Sequence, residues 1–404
     1  MASKIILHID LNQFFITCER LKDPSLIGKA LIVGGEGRAG IVSTASYEAR
    51  KYGIHSGMPT FQAKMLCKNL ICKPVDFKFY ELMSKEFITY IKRYSNIVEQ
   101  MSIDECFVDF TDTFNKYKNI NIMNLLKQIQ DGLFEQTGLM CSIGVASTRF
   151  LAKMGSDIKK PMGITIIHKY DCKNIIFPLP IKNYFGIGKK TYPRLEEIGI
   201  KTIGDFYKAL KENNPPLDDI IGNSIDYHIS ELEGTSNDVV STAHADPKSI
   251  GVSRTLTSDT DDRIYLNDFL QKIAKNVIED MKKQGFLTKT ITVSFKDADF
   301  ENTNFKLSSF SKSFLEPIDD IETILKETSK LFYKSYDGRL IRLIGFTVKN
   351  LKHKKDVVNQ LSLFNINEQP KVDETKKIID KLNQEINSDT FYRLSDLEKN
   401  NGNK

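Results

Sequence analysis

The sequence predicts a chain of several α+β domains. Its 404 residues exceed what one hydrophobic core ordinarily covers. Short apolar runs of strand length alternate with segments whose apolar residues recur at three- and four-residue steps. A polar, proline-bearing stretch, TAHADPKS, separates two such mixed blocks. Hydrophobic residues at 41% and charged residues at 27% are the proportions of a folded globular protein. No apolar run approaches the roughly 20 residues a membrane span requires, so no membrane association is expected.

Taken in order, residues 5 to 9 (IILHI) run apolar as a buried strand should and end on Asp10. GGEGRAG, from Gly34 to Gly40, is a flexible loop leading into a short strand, IVSTA, and then a helix carrying SYEARKYG that stops at Gly53. Residues 77 to 94 have the helical period. IVEQMSIDECFVDF then reads as a β-hairpin with its tight turn around Ser102 to Asp104. CSIGVAS is a further strand, TRFLAKMGSD a helix, and KKPMGITII a turn into another strand, which together complete a sheet domain through about residue 170. Residues 171 to 236 read as helical, with glycine turns at Gly186 to Gly188 and Gly199 to Gly204 each opening a helix. Beyond a linker at about 237 to 248, residues 249 to 354 alternate strands (TKTITVSFKD, RLIRLIGFTVKNL) with the helix YLNDFLQKIAKNVIEDMKK. The tail from about 355 is charged, with a helical pattern in TKKIIDKLNQEI.

The N-terminus enters its first apolar strand without the basic, hydrophobic and cleavage regions of an export signal, which predicts a cytoplasmic protein. Six cysteines without a C-x-x-C pair fit reduced thiols in a core better than disulfides or a zinc site. A net charge of +5 is compatible with a polyanionic partner without requiring one.

The chemistry lies in the acidic residues. Asp10 at a strand end, with Asp104 and Glu105 adjacent in a hairpin turn, supplies three hard oxygen donors that a sheet could bring together. Such a set suits Mg²⁺, which takes a few carboxylates plus waters and substrate phosphates. Asp109, farther along the same strand, has no distinguishing spacing and reads as structural. Tyr47 and Arg50 stand three apart on one helix face, where a guanidinium fork and a phenol suit phosphate oxygens. The glycine-rich loop lacks the G-x-x-x-x-G-K-[ST] pattern of a P-loop.

HIDLNQFF, STASYEARKYGIHSGMP, SIDECFVDF and SIGVASTRFLAKMGSDIKKPMG, in that order, resemble the successive signature segments of the Y-family (DinB/UmuC-like) translesion DNA polymerases. The resemblance runs through about residue 354. It implies a right-hand polymerase: a palm with a ferredoxin-like sheet (about 1–10 and 76–170), small inserted fingers (about 11–75), a helical thumb (171–236), the linker (237–248), a separate α+β little finger (249–354) and a mobile tail (355–404). The implied activity is template-directed addition of deoxynucleotides to a primer end, with low fidelity and no proofreading, in translesion synthesis and DNA repair. The implied cofactors are two Mg²⁺ ions, with Mn²⁺ able to substitute.

Position by position, Asp10 and Asp104 resemble the carboxylates that bridge both metals and Glu105 the one on the primer side, while Leu11 offers its backbone carbonyl. Many relatives carry a second aspartate where this chain has Asn12, which is not counted as a ligand. Tyr47, Arg50 and Lys160 are implied triphosphate ligands, with Thr44 and the amides at the nearby helix start. Phe14 and Phe15 are assigned to the nucleotide pocket, Phe15 as the steric gate beneath the sugar. Ile41 and Val42, after the glycine loop, are expected over the nascent base pair.

The turn at Gly186 and Gly188 resembles a helix-hairpin-helix, whose amides bind DNA phosphates without reading sequence. Arg254, Lys289, Arg339 and Arg342 are the basic residues expected to face DNA. Gln360, Leu361, Leu363 and Phe364, within QLSLF, resemble the peptide that docks bacterial polymerases on the sliding clamp, the beta subunit of the replicative polymerase. The expected partners are therefore primer-template DNA, deoxynucleoside triphosphate and that clamp, with the chain itself a monomer. Two rival readings share part of this pattern. A nucleotidyl cyclase would need neither the glycine turns nor the clamp peptide, and a silent DNA-binding accessory subunit would need no acidic triad.

Overall fold

The computed structural model describes residues 4–37, 39–117, 120–212, 214–243, 246–298 and 307–356. QLSLF at 360–364 and the helical pattern beyond it lie outside these residues. The described strands are β1 (Ile6–Leu11), β2 (Leu31–Gly34), β3 (Val42–Ala45), β4 (Ile71–Lys73), β5 (Val98–Gln100), β6 (Glu105–Asp109), β7 (Cys141–Ala146), β8 (Ile164–Ile166), β9 (Ser249–Thr260), β10 (Phe286–Asp297), β11 (Leu307–Ile318) and β12 (Ile341–His353). The chain divides into two compact units, Met1–Asp246 with Thr255–Asp259, and Pro247–Arg254 with Thr260–Lys404.

The first unit is built on a five-stranded sheet of order β5-β6-β1-β7-β8, antiparallel except for β7 and β8. Side chains alternate across it. Leu7, Ile9 and Leu11 enter a core with Phe87 of the helix Phe77–Ile91 and with Leu126, Ile129 and Leu133 of the helix Ile122–Thr137. Ile6 belongs to the core beneath the helix Arg149–Ile158, so His8 and Asp10 share its face. That helix can lie directly on the sheet because β7 carries Gly144 at the crossing, where an added Cβ would collide with the Ala152 carbonyl oxygen. The helix Phe14–Lys22 buries Phe14, Ile16 and Cys18 in the main sheet core.

A smaller sheet of order β3-β2-β4 follows, with its own core of Ile32, Val42, Ala45, Ala49 and Ile54. The helix expected through Gly53 is shorter, Tyr47–Arg50, and unwinds through turns to Gly53 at φ +79°. The short helices between Cys172 and Leu232 pack Ile176, Leu195, Ile203 and Phe206 into the same core as Ile6 and Phe107. Gly186 and Gly199 hold left-handed backbone, at φ +101° and +86°, in the turns that precede helices Tyr192–Glu197 and Ile203–Lys211.

The second unit is a four-stranded sheet of order β11-β10-β12-β9, with the helices Arg263–Lys283 and Ile321–Ser335 packed against it. Ile291, Val293, Phe295, Ile344, Phe346 and Val348 are buried, whereas Thr290 and Thr292 pair their hydroxyls with Ser313 and Ser311 at 2.9 Å. The mixed α+β class is as the sequence predicts. The six cysteines are free thiols, five of them buried.

Candidate active site

The acidic residues meet through strand register. β1 and β6 pair antiparallel with Asp10 opposite Glu105, and the Leu11 amide donates to the Asp104 carbonyl at 2.9 Å. The Asp104 side chain is held from within its own turn, where the Ser102 hydroxyl donates to Oδ1 at 2.6 Å. Burial pushes the Asp104 carboxyl above its ordinary value; Ser102 opposes the shift, and the negative charges of Asp10 and Glu105 reinforce it.

Two lysines compensate this charge. Lys153 places its ammonium 3.1 Å from Asp10 Oδ2 and 2.8 Å from Glu105 Oε2, with only 12% of its side chain exposed. Lys160 reaches Asp10 Oδ1 at 2.8 Å and Asp157 at 2.6 Å. Burial alone would lower both ammonium groups, yet each is raised above the ordinary lysine range because Asp10 and the other carboxylates outweigh it. His8 lies in the sheet below, with Nδ1 2.7 Å from the Ser156 hydroxyl and Nε2 3.4 Å from Glu105 Oε2. Burial lowers the imidazole, while His8 and Lys153 together hold the Glu105 carboxyl down at about 2.

Among the described residues, no three acidic, histidine or cysteine side chains close on a common point. The Lys153 ammonium instead bridges two of the three carboxylates. The donor chemistry nevertheless fits hard divalent cations: carboxylate oxygens at one sheet edge that already require cationic partners.

The nucleotide-pocket candidates divide. Tyr47 lies near enough to feel the charges of Arg50, Lys160 and Asp10, and burial raises its phenol. The Arg50 guanidinium lies 5.0 Å over the Tyr47 ring and donates through Nε to the Ala45 carbonyl at 2.9 Å. Phe15 is half-buried and stacks on Tyr80, with centroids 4.3 Å apart and planes at 14°. Phe14, only 3% exposed, lies in the core of the main sheet. Val42 is likewise buried in the small sheet, while Ile41 is exposed. Thr44 sits within β3 opposite Val33, and the helix cap is Ser46. The expected free amides are partly taken, since Gln13 Oε1 accepts from Tyr47 N and Ser46 Oγ from Ala49 N.

Of the DNA-facing candidates, Gly186 and Gly188 flank the buried Ile187, with open space where a Cβ would stand on either glycine. Arg254 and Lys289 are exposed, and Arg342 is half-buried on β12. Arg339 is half-buried and pairs with Asp337 at 2.7 Å and Asp297 at 3.2 Å.

Sequence reasoning missed Lys153, His8 and Gln13. The signal for Lys153 lay in the spacing of Lys153, Asp157 and Lys160, which recur at steps of four and three as on one helix face.

Comparison with known proteins gives a consistent picture. Residues 9–157 match the impB/mucB/samB family and residues 247–363 the C-terminal domain of that family. DNA polymerase IV 1 of Bacillus subtilis (strain 168) is 35% identical over 405 residues, spanning 98% of this chain and 94% of the relative. DNA polymerase IV of Bacillus anthracis is 34% identical over 402 residues, spanning 98% and 94%. Among solved structures, a chimeric Y-family DNA polymerase superposes with a TM-score of 0.74 at 26% identity, covering 86% of this chain and 99% of that one. An insertion ternary complex of Dbh DNA polymerase gives 0.57 at 26% identity, over 86% and 99%.

Proposed function

The chain belongs to the impB/mucB/samB family and is a Y-family, low-fidelity translesion DNA polymerase, and from that premise we propose how its own residues carry out the reaction. It binds DNA and deoxynucleoside triphosphate and depends on divalent metal, as its family does. We assign the metal positions to Asp10, Asp104, Glu105 and the Leu11 carbonyl, with two Mg²⁺ ions and with Mn²⁺ able to replace them. When bound, such ions supply Lewis acidity to the attacking 3′-hydroxyl and to the departing pyrophosphate.

The observation that carries this reading is the register that sets Asp10 opposite Glu105 while the Leu11 amide grips the Asp104 carbonyl. Tyr47, Arg50 and Lys160 bind the triphosphate. Lys160 exchanges its contact with Asp10 for phosphate oxygens as the nucleotide arrives. Phe15, backed by Tyr80, stands under the sugar and leaves no room for a 2′-hydroxyl. Lys153 keeps Asp10 and Glu105 in place and their charge neutralised before metal binds.

The domain assignment stays as the sequence implies: palm about 1–10 and 76–170, fingers about 11–75, thumb 171–236, linker 237–248 and little finger 249–354. We assign Gly186, Gly188, Arg254, Lys289, Arg339 and Arg342 to contacts with the DNA backbone, which makes binding salt-sensitive. Gln360, Leu361, Leu363 and Phe364 dock the clamp, and the protein works as a cytoplasmic monomer. Among the described residues no helix is long and apolar enough to cross a membrane. Primer extension by the purified protein tests the core of the proposal: Asp104→Ala abolishes extension, and extension that survives it rejects the assigned site.

A further inference from the structure

Lys160 stands on a segment with an unusual support. Between the helix Arg149–Ile158 and β8, the chain turns through Met162, a non-glycine residue at φ +57°, where a β-carbon disfavours the backbone. Both polar groups of that residue are taken by side-chain amides from elsewhere in the fold. Its amide donates to Asn12 Oδ1 at 2.7 Å, and its carbonyl accepts from Gln130 Nε2 at 3.1 Å. Asn12 is only 2% exposed and is locked in turn to the Ser142 hydroxyl, to which Nδ2 donates at 3.0 Å. Gln130 is wholly buried and also donates to the Cys141 carbonyl at 2.8 Å.

Asn12 directly follows β1, the strand that carries Asp10, and Gln130 belongs to the helix Ile122–Thr137 under the same sheet. We propose that Asn12 and Gln130 are positioning residues that set the reach of Lys160 by gripping the backbone of Met162 from both sides. The inference rests on reading Lys160 as a triphosphate ligand. One residue, Pro161, separates Lys160 from the gripped Met162, so a shift of the loop moves the ammonium away from Asp10 Oδ1, now 2.8 Å distant, and from the phosphates that succeed it. Buried amides suit this task because each supplies a neutral donor and acceptor in fixed directions and adds no charge beside three carboxylates. Losing either leaves a backbone group of Met162 without its partner, and the loop relaxes toward water to satisfy it.

The test compares Asn12→Ala, which leaves room for water, with Gln130→Met, which keeps the side-chain length, so that a folding failure of one leaves the other informative. Asn12→Asp is the conservative control: its carboxylate still accepts from Met162, and the Ser142 hydroxyl can turn to donate to it. Lysines of the full chain are acetylated with N-hydroxysuccinimide acetate and read by peptide mass spectrometry, with exposed Lys85 as internal reference. Asn12→Ala and Gln130→Met are expected to label Lys160 at least threefold faster relative to Lys85, and Asn12→Asp, whose added negative charge favours the ammonium form, no faster than the parent. In primer extension the first two raise KM for deoxynucleotide several-fold while kcat changes less than KM does. Unchanged labelling of Lys160 in both variants overturns the positioning role. Lys160→Ala that leaves KM unaltered refutes the triphosphate role of Lys160 alone, and the labelling rates still decide whether the two amides hold the loop.

Discussion

Lys153→Met removes a positive charge that bridges two carboxylates and keeps nearly the same length of aliphatic chain. The ammonium lies 3.1 Å from Asp10 and 2.8 Å from Glu105, and the three side chains are 12%, 14% and 27% exposed. Deleting one partner of a buried ion pair costs about 3–5 kcal/mol, because the remaining charge is left uncompensated. Two features reduce that figure here. Lys160 still pairs with Asp10, and the cluster opens on one side toward water. About 2 kcal/mol remains, and for a unit of this size that lowers the melting temperature by about 4–8 °C. Thermal unfolding followed by circular dichroism in chelator measures it. Adding Mg²⁺ is expected to recover much of the loss, since a divalent cation binding only the folded protein replaces the missing charge. A melting temperature in chelator indistinguishable from the parent's would refute the view that Lys153 compensates the acidic cluster.

Three other outcomes are expected. Phe15→Ala removes the ring stacked on Tyr80 and raises ribonucleotide incorporation by on the order of 10- to 100-fold, the scale on which a pocket discriminates by shape; an unchanged ratio of ribo- to deoxynucleotide incorporation dismisses Phe15 as the gate. Glu231 is 1% exposed with neither carboxylate oxygen hydrogen-bonded, and burial raises its pKa above the ordinary 4.5. Because the folded form holds its proton more tightly, the penalty is full above the folded-state pKa and fades as pH falls toward 4.5. Glu231→Gln therefore stabilises the protein by about 1–2 kcal/mol near neutrality, and urea titrations that show the same gain at pH 4 contradict this. Deleting residues 360–364 leaves basal primer extension intact and removes stimulation by added clamp; equal stimulation of both forms sinks the peptide assignment.

Local patterns were legible wherever neighbours in sequence remain neighbours in space. The apolar run that ends on Asp10, the hairpin around Ser102 to Asp104 and the helix after CSIGVAS all depend on periods of two or 3.6 residues and on turn residues. Both the α+β class and the acidic candidates could be read from them. The helix Ile122–Thr137 is no part of the sequence reading, although its buried Leu125, Leu126, Ile129 and Leu133 follow the helical step. β11 is not legible in the sequence, because LSSFSKSFLEPI puts serine where a half-buried strand ordinarily carries alternating apolar residues. Its pairing partners supply what its own side chains do not.

The sequence by itself determined which chemical groups are present and the order in which the chain meets them: three carboxylates, a Tyr–Arg pair and a lysine ahead of a proline. Only the tertiary structure decided which of these groups share a volume. Of two adjacent phenylalanines, Phe14 turns into the core and Phe15 onto Tyr80, a choice made by the helix face each occupies. Lys153 stands among the carboxylates because Gly144 lets its helix lie flat on β7, and Arg339 pairs with Asp297, which lies 42 residues away along the chain. Charges interact through distance in space, and a chain that folds back on itself makes that distance independent of separation along the sequence.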